Sequence, residues 1–246
     1  MAESGHALAR AHPALFARAA RDRASGRLPG SALSTPASTV KRWKTLPRAF
    51  YRRDPRVVAP ELLNKLLVRD DGRAGRIVEV EAYAGSEDPA AHSFRGRTAR
   101  NATMFGPAGH LYVYFTYGMH WCANAVCGEV GEGYGVLLRA IEPVAGVELM
   151  RAARGHPARE RDLGSGPGRL GQAFGITREI DGADLVTGDR GMRIVSDGTP
   201  PPADAIATSR IGIRHGIEHL WRWHVPEHVH VSKTRPGPPP AKARRT

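Results

Sequence analysis

The sequence predicts an α+β fold, a single mixed domain over residues 46–232. Three observations carry this expectation. Residues 76–83, Arg-Ile-Val-Glu-Val-Glu-Ala-Tyr, alternate in side-chain character as a strand does. Residues 111–117 are rich in Tyr, Val and Phe, halt at Gly118, and are answered by 121–127, which is the pattern of a hairpin. The helical stretches are short and separated by Gly- and Pro-rich loops, and the chain has no internal repeat, which sets solenoids aside.

Taken in order, 60–68 reads as a helix running into a strand, with Leu62, Leu63, Leu66 and Leu67 as its apolar face. Asp70-Asp71-Gly72 signals a turn. In the strand 76–83, Val78, Val80 and Ala82 point one way, and Ile77, Glu79, Glu81 and Tyr83 the other. The hairpin follows, then a strand at 135–140, a helix at 148–154, and a Gly-rich stretch at 164–182 with helix around 170–174. Strands near 192–195 and around Ile211 complete the domain.

The chain has 246 residues and a formal net charge of +12, but the charge is uneven. Residues 1–56 hold 12 Lys or Arg against 3 Asp or Glu, residues 233–246 hold 5 against none, and 57–232 hold 19 against 21. The excess therefore lies at the ends. Residues 1–45, rich in Ala, Arg, Ser and Pro, and 233–246, with a Pro-Gly-Pro-Pro-Pro run, are expected to be disordered basic tails that attract phosphate in a salt-dependent way. The start has no uninterrupted apolar run of a secretory signal; its Arg-rich, acid-poor character fits a plain basic tail and also an organelle transit peptide. No apolar stretch approaches the roughly 20 residues of a membrane span. Two cysteines, Cys122 and Cys127, form no CxxC pair, so neither a disulfide framework nor a zinc knuckle is expected, and a reducing setting fits.

Glu79 and Glu81 share a strand face at roughly 7 Å, a spacing at which carboxylates can divide acid and base roles. On the pair alone, a solvated strand face is the plainer reading. Tyr83 on that face and His92 soon after suit a site that holds a flat base. Arg95, Arg97 and Arg100, spaced by Gly and small residues, could hold phosphates or form a solvated loop. Tyr112, Tyr114, Phe115, Tyr117, Met119, His120 and Trp121 make the densest aromatic cluster, suited to stacking on an unpaired base or to filling a core. Tyr117, beside Gly118 at the turn, is placed to be displayed.

Five segments then occur together in one order: 76–83; Glu-Asp-Pro-Ala-Ala-His-Ser at 87–93; Met-Phe-Gly-Pro-Ala-Gly-His-Leu-Tyr-Val-Tyr-Phe-Thr-Tyr-Gly-Met-His at 104–120; Val-Leu-Leu-Arg-Ala-Ile-Glu-Pro at 136–143; and Gly-Ser-Gly-Pro-Gly-Arg-Leu at 164–170. With them the body, nearly all of 50–230, resembles the alkyladenine (3-methyladenine) DNA glycosylase family. The resemblance implies a curved, largely antiparallel sheet with a protruding β-hairpin, flanked by the tails. It implies a monomer acting on duplex DNA that contains damaged purines, with no cofactor and no metal. The setting would be the cytoplasm and nucleoid in a bacterium, the nucleus or an organelle otherwise.

Position by position, the resemblance makes Glu81 the general base that deprotonates water, with Arg139 and a main-chain carbonyl near Ile211 helping to hold that water. Tyr83, His92 and Tyr114 would line the base pocket, and Asn124 would sit at its edge and clash with the 2-amino group of guanine. Tyr117, with Met119 beside it, would enter the duplex, and Arg95, Arg97, Arg100 and Arg169 would contact DNA. The chain departs from the family pattern at Ala99, where a proline is common, and at His120, where some members have Tyr. A purine made cationic by alkylation leaves without an enzyme acid, so a positioned water suffices for such lesions. Backbone cleavage through a Schiff base needs an amine, and Lys65 is the sole lysine in 57–232; a monofunctional enzyme is expected.

Three rivals remain. His215-Gly-Ile-Glu-His219 matches the HxxEH pattern of zinc peptidases, which needs a helix that Gly216 weakens and a third ligand from among His224, Glu227, His228 and His230. A glycosylase fold without activity would bind damaged DNA only. A sugar glycosidase would use Glu79 and Glu81 as its pair.

Overall fold

In the computed structural model, residues 43–233 are described, and 1–42 and 234–246, which hold nearly all of both expected tails, lie outside the described residues. Ten strands form one sheet: β1 Lys44–Thr45, β2 Leu66–Arg69, β3 Ala74–Ala84, β4 His110–Thr116, β5 His120–Cys127, β6 Tyr134–Ala145, β7 Ala183–Asp184, β8 Met192–Ser196, β9 Ile206–Thr208 and β10 Arg222–His224. Among the described residues four α-helices accompany them: α1 Arg48–Tyr51, α2 Pro55–Leu62, α3 Val147–Ala153 and α4 Pro167–Ala173. The order across the sheet is β1-β8-β2-β3-β6-β5-β4-β7, and β10 joins β3 to β9. Every pairing is antiparallel. The sheet curls into a half-barrel, as the α+β expectation has it.

β3 is the organising strand because both its edges are used. β6 runs along one edge for its whole length. On the other edge β2 pairs the first part, Leu67 opposite Gly75, and β10 pairs the later part, Arg222 opposite Glu81 and His224 opposite Glu79. The β3–β6 register slips on either side of Glu79. That bulge inverts the alternation at its start: Ile77 joins Val80 and Ala82 in the core instead of sharing the Glu79 and Glu81 face. The expected assignment of Ile77 was therefore wrong, and the bulge re-aims the two glutamates.

The first helix signal was placed too late. Asp54 caps α2 by accepting from the Arg56 amide at 2.7 Å, and Pro55 fits the first turn. Pro55, Val58, Ala59 and Leu62 form its buried stripe. Leu63 is extended and Asn64 has a positive φ, so the helix stops there, and Leu66 and Leu67 belong to β2. Each fully buried leucine here contributes about 1.5–3 kcal/mol by leaving water.

α4 lies directly on β5. A side chain at Gly171 would place its Cβ 2.1 Å from the Trp121 carbonyl oxygen, so only glycine allows this approach. β4 and β5 are joined by three residues, Tyr117, Gly118 and Met119. Tyr117 and Gly118 both have positive φ (52° and 66°), and the Met119 amide donates to the Thr116 carbonyl at 3.2 Å. Left-handed backbone at both positions is what tight hairpin turns use. The β4–β5 pair is the protruding hairpin.

Candidate active site

Glu79 and Glu81 are both fully buried, so their strand face is not a solvated one. Glu79 is saturated. Its Oε1 accepts from Arg139 Nε (2.9 Å), Arg222 Nε (2.7 Å) and the Ser232 hydroxyl (2.8 Å), and its Oε2 from the Ser232 amide (2.7 Å). Burial alone would raise the Glu79 carboxyl, but Arg139, Arg222 and Ser232 together hold it below the usual carboxylate range. With four hydrogen bonds, full burial and no place on the cavity wall, it is an anchor and not an acid–base partner for Glu81, which argues against the paired-carboxylate reading.

Glu81 is held differently. Its Oε1 accepts from the Ile211 amide at 2.7 Å and lies 3.1 Å from Arg139 Nη1; its Oε2 accepts from the Tyr83 hydroxyl at 2.9 Å. Tyr83, Ile211 and Arg139 all line a cavity of about 330 Å³, and Glu81 lies behind them. Burial and then the Glu81 charge push the Tyr83 phenol well above its ordinary range, so it stays a donor. Burial opposes the Arg139 charge, yet Glu81 and Glu79 outweigh it and raise the guanidinium further.

The cavity wall is aromatic. Tyr112 and Tyr114 stack with centroids 5.6 Å apart, and the His92 ring meets Tyr114 edge-on at 4.5 Å. His92 Nδ1 is 3.3 Å from the Tyr112 hydroxyl; burial and then Arg100 lower its pKa, so the ring is neutral at pH 7. Cys122, which also lines the cavity, is pushed up to about 11 by burial and stays a thiol. Asn124 is buried on the wall, and its amide nitrogen has no hydrogen-bond partner among the described residues. Such a site can hold a flat, polar-edged molecule of modest size.

The structure thus brings Glu81, Arg139, Tyr83, His92, Tyr114, Asn124 and Ile211 together. Ile211 differs from expectation in lying in a loop, the nearby strand being β9, and its amide donates to Glu81. Tyr117 is 78% exposed and Met119 64%, both at the hairpin tip. A Cβ at Gly212 would lie 3.8 Å from the Tyr117 hydroxyl, so the ring leans toward the cavity mouth. Arg95 and Arg97 are exposed, whereas Arg100 donates to the Phe115 carbonyl at 2.8 Å and Arg169 pairs with Asp162 at 2.8 Å. The segment 215–219 has no helix, and Gly216 has a positive φ, so the HxxEH geometry is absent. Lys65 follows α2 instead of lying on it; its Nζ donates to the Thr199 carbonyl at 3.0 Å, and it does not line the cavity.

Sequence reasoning missed Arg210. It is buried, pairs with Asp88 at 2.5 and 2.8 Å, donates to the Ala82 carbonyl at 3.0 Å, and sits 4.7 Å over the Tyr83 ring and 5.1 Å from Trp221. It therefore backs Tyr83 and fixes the loop carrying Ile211. The only signal was Asp88 inside the 87–93 segment, with nothing to connect it to residue 210. Arg222 and Ser232, the other anchors of Glu79, were missed for the same reason.

Comparison with known proteins identifies the family. A family model described as Methylpurine-DNA glycosylase (MPG) matches residues 49–229. A protein of Burkholderia lata named "Putative 3-methyladenine DNA glycosylase" is 62% identical over 193 residues, 78% of this chain and 93% of that protein. Proteins of the same name from Koribacter versatilis and Methanoculleus marisnigri are each 48% identical, covering 81% and 77% of this chain and 99% of each relative. The chain belongs to the methylpurine-DNA glycosylase family, hydrolases of N-glycosyl bonds that act in DNA repair.

Proposed function

We propose that this enzyme is a monofunctional glycosylase of base excision repair. It turns alkylated or deaminated purines, namely 3-methyladenine, 7-methylguanine, hypoxanthine and ethenoadenine, out of duplex DNA and hydrolyses their N-glycosidic bonds to leave abasic sites. The observation that carries this is the three-point hold on Glu81 by Tyr83, the Ile211 amide and Arg139, all of which face an aromatic cavity.

In this reading Tyr117 enters the duplex at the lesion and replaces the departing nucleotide, with Met119 beside it. The flipped base settles against Tyr83, Tyr114 and His92. A purine nucleotide methylated at N3 or N7 carries positive charge, which aromatic faces attract, while a neutral purine gains only stacking. Asn124 obstructs the 2-amino group of guanine. A water between the sugar and Glu81 loses its proton to the carboxylate as it attacks, and Arg139 keeps that carboxylate oriented. The exposed Arg95 and Arg97 are placed to meet phosphates. Without an amine in the cavity wall, no covalent adduct forms with the sugar.

Single-turnover excision on duplexes with one hypoxanthine or ethenoadenine, alongside Glu81→Gln, tests this reading. Wild type is expected to release the base and leave an abasic site, and the variant to bind without cutting. Failure on these duplexes and on methylated DNA, with binding intact, would turn the reading to a damaged-DNA-binding protein.

A further inference from the structure

The segment that anchors Glu79 carries a second cluster of polar side chains. Glu142 on β6, His228 and His230 can each present a ligating atom within 4.8 Å of the others. His228 Nε2 lies 3.7 Å from Glu142 Oε2, and the two imidazole centroids are 5.5 Å apart. None of the three lines the cavity.

His230 is the unusual member. It is 6% exposed, and neither ring nitrogen has a hydrogen-bond partner among the described residues. Burying an imidazole with both nitrogens idle is costly, and such groups are normally satisfied.

We propose that Glu142, His228 and His230 bind one divalent transition-metal ion of the zinc class, a structural clip between β6 and the C-terminal segment. Two imidazoles and one carboxylate are a donor set zinc accepts, with water in the fourth position. Ligand bonds of about 2.0–2.2 Å put tetrahedral donor atoms roughly 3.3 Å apart, so the side chains draw in slightly on loading. His228 Nδ1 accepts a weak bond from the His230 amide at 3.3 Å. An ion on Nε2 requires the proton on Nδ1, so loading gives up that contact. Glu142 and His228 are half-buried and leave an entry route. The clip would draw on residues close to two of the three anchors of Glu79: Glu142 is three residues beyond Arg139, and His230 two before Ser232. The sequence expectation was of no metal, with His228 and His230 weighed only as third-ligand candidates for an HxxEH zinc site. The proposal is independent of the reading of the cavity.

The test is titration of the untagged full chain, stripped with chelator, with zinc chloride, followed by calorimetry and thermal melting. Glu142→Gln and His228→Ala are run beside it, with their metal-free melting and circular dichroism checked against wild type. Expected are one equivalent bound, a Tm rise of roughly 5 °C or more at hundredfold excess over Kd, and at least tenfold weaker binding in each variant. Zinc that leaves Tm unchanged would overturn the proposal. So would equal binding and an equal rise in both variants, which would move the ion to other histidines such as His92 or His219.

Discussion

Glu79 accepts from Arg139 Nε at 2.9 Å, and the same guanidinium reaches Glu81 with Nη1 at 3.1 Å. The carboxylate two residues before the candidate base therefore positions the cation beside that base. Glu79→Gln should lower stability by about 3 kcal/mol, because it leaves two buried guanidiniums short of charge, and should lower kcat more than it weakens DNA binding. Urea unfolding and single-turnover excision read the two effects. A variant with wild-type stability and rate would make the contact incidental.

The same residue gives a pH dependence. The folded-state pKa of Glu79 is depressed, so its contribution is fully present above the unfolded-state value of about 4.3 and is lost as pH falls through the folded value. Melting curves from pH 6 to 3 should fall less steeply for Glu79→Gln than for wild type. Asp54, Asp184 and Asp197 are also depressed by their arginine partners, so the variant should keep a shallower acid slope. Parallel curves would remove Glu79 from the acid response.

Tyr83 donates to Glu81 while its ring lies under Arg210. Tyr83→Phe removes the hydroxyl and keeps the ring. The expected loss is about 1–2 kcal/mol of transition-state stabilisation, a fall of roughly tenfold in excision rate, with Tm within a few degrees of wild type. Unchanged excision would show that the Ile211 amide and Arg139 suffice to orient Glu81.

The elements legible in the sequence were those whose signals are local. The strand around Glu81, the hairpin at Gly118 and the aromatic wall all followed from alternation and residue type. Leu62, Leu63, Leu66 and Leu67 misled because their spacing satisfies a helix, whereas Asn64 at positive φ divides them between α2 and β2. Ile77 misled because a bulge leaves no mark in composition. Arg222 and Ser232 lie 143 and 153 residues from Glu79, and Arg210 lies 122 from Asp88. Partners at such separations are chosen by topology, which no spacing rule reads.

Arg210 supplies a sharper test of that hidden shell. Its pair with Asp88 has both side chains fully buried, so Arg210→Met should destabilise by about 3–5 kcal/mol by leaving Asp88 alone. The double change Arg210→Met with Asp88→Asn should recover part of that loss, since both charges are then gone. Recovery of stability without recovery of excision would separate the role in folding from the role of backing Tyr83 and the Ile211 loop. Additive losses in the double variant would mean that the pair is not coupled.

Tyr117 is a non-glycine residue at φ 52° with its ring exposed, a conformation that costs of order 1–3 kcal/mol and persists where function requires it. Tyr117→Gly relaxes the turn but raises the entropy of the unfolded chain by about 0.5–1 kcal/mol, so stability should change by no more than about 1 kcal/mol. DNA affinity and excision should both fall, more for a well-paired lesion than for one opposite a gap, because only the first needs a wedge to keep the base out of the stack. A variant that loses stability instead, with excision intact, would make the tyrosine a structural part of the hairpin and leave the duplex to be opened by the arginine loop alone.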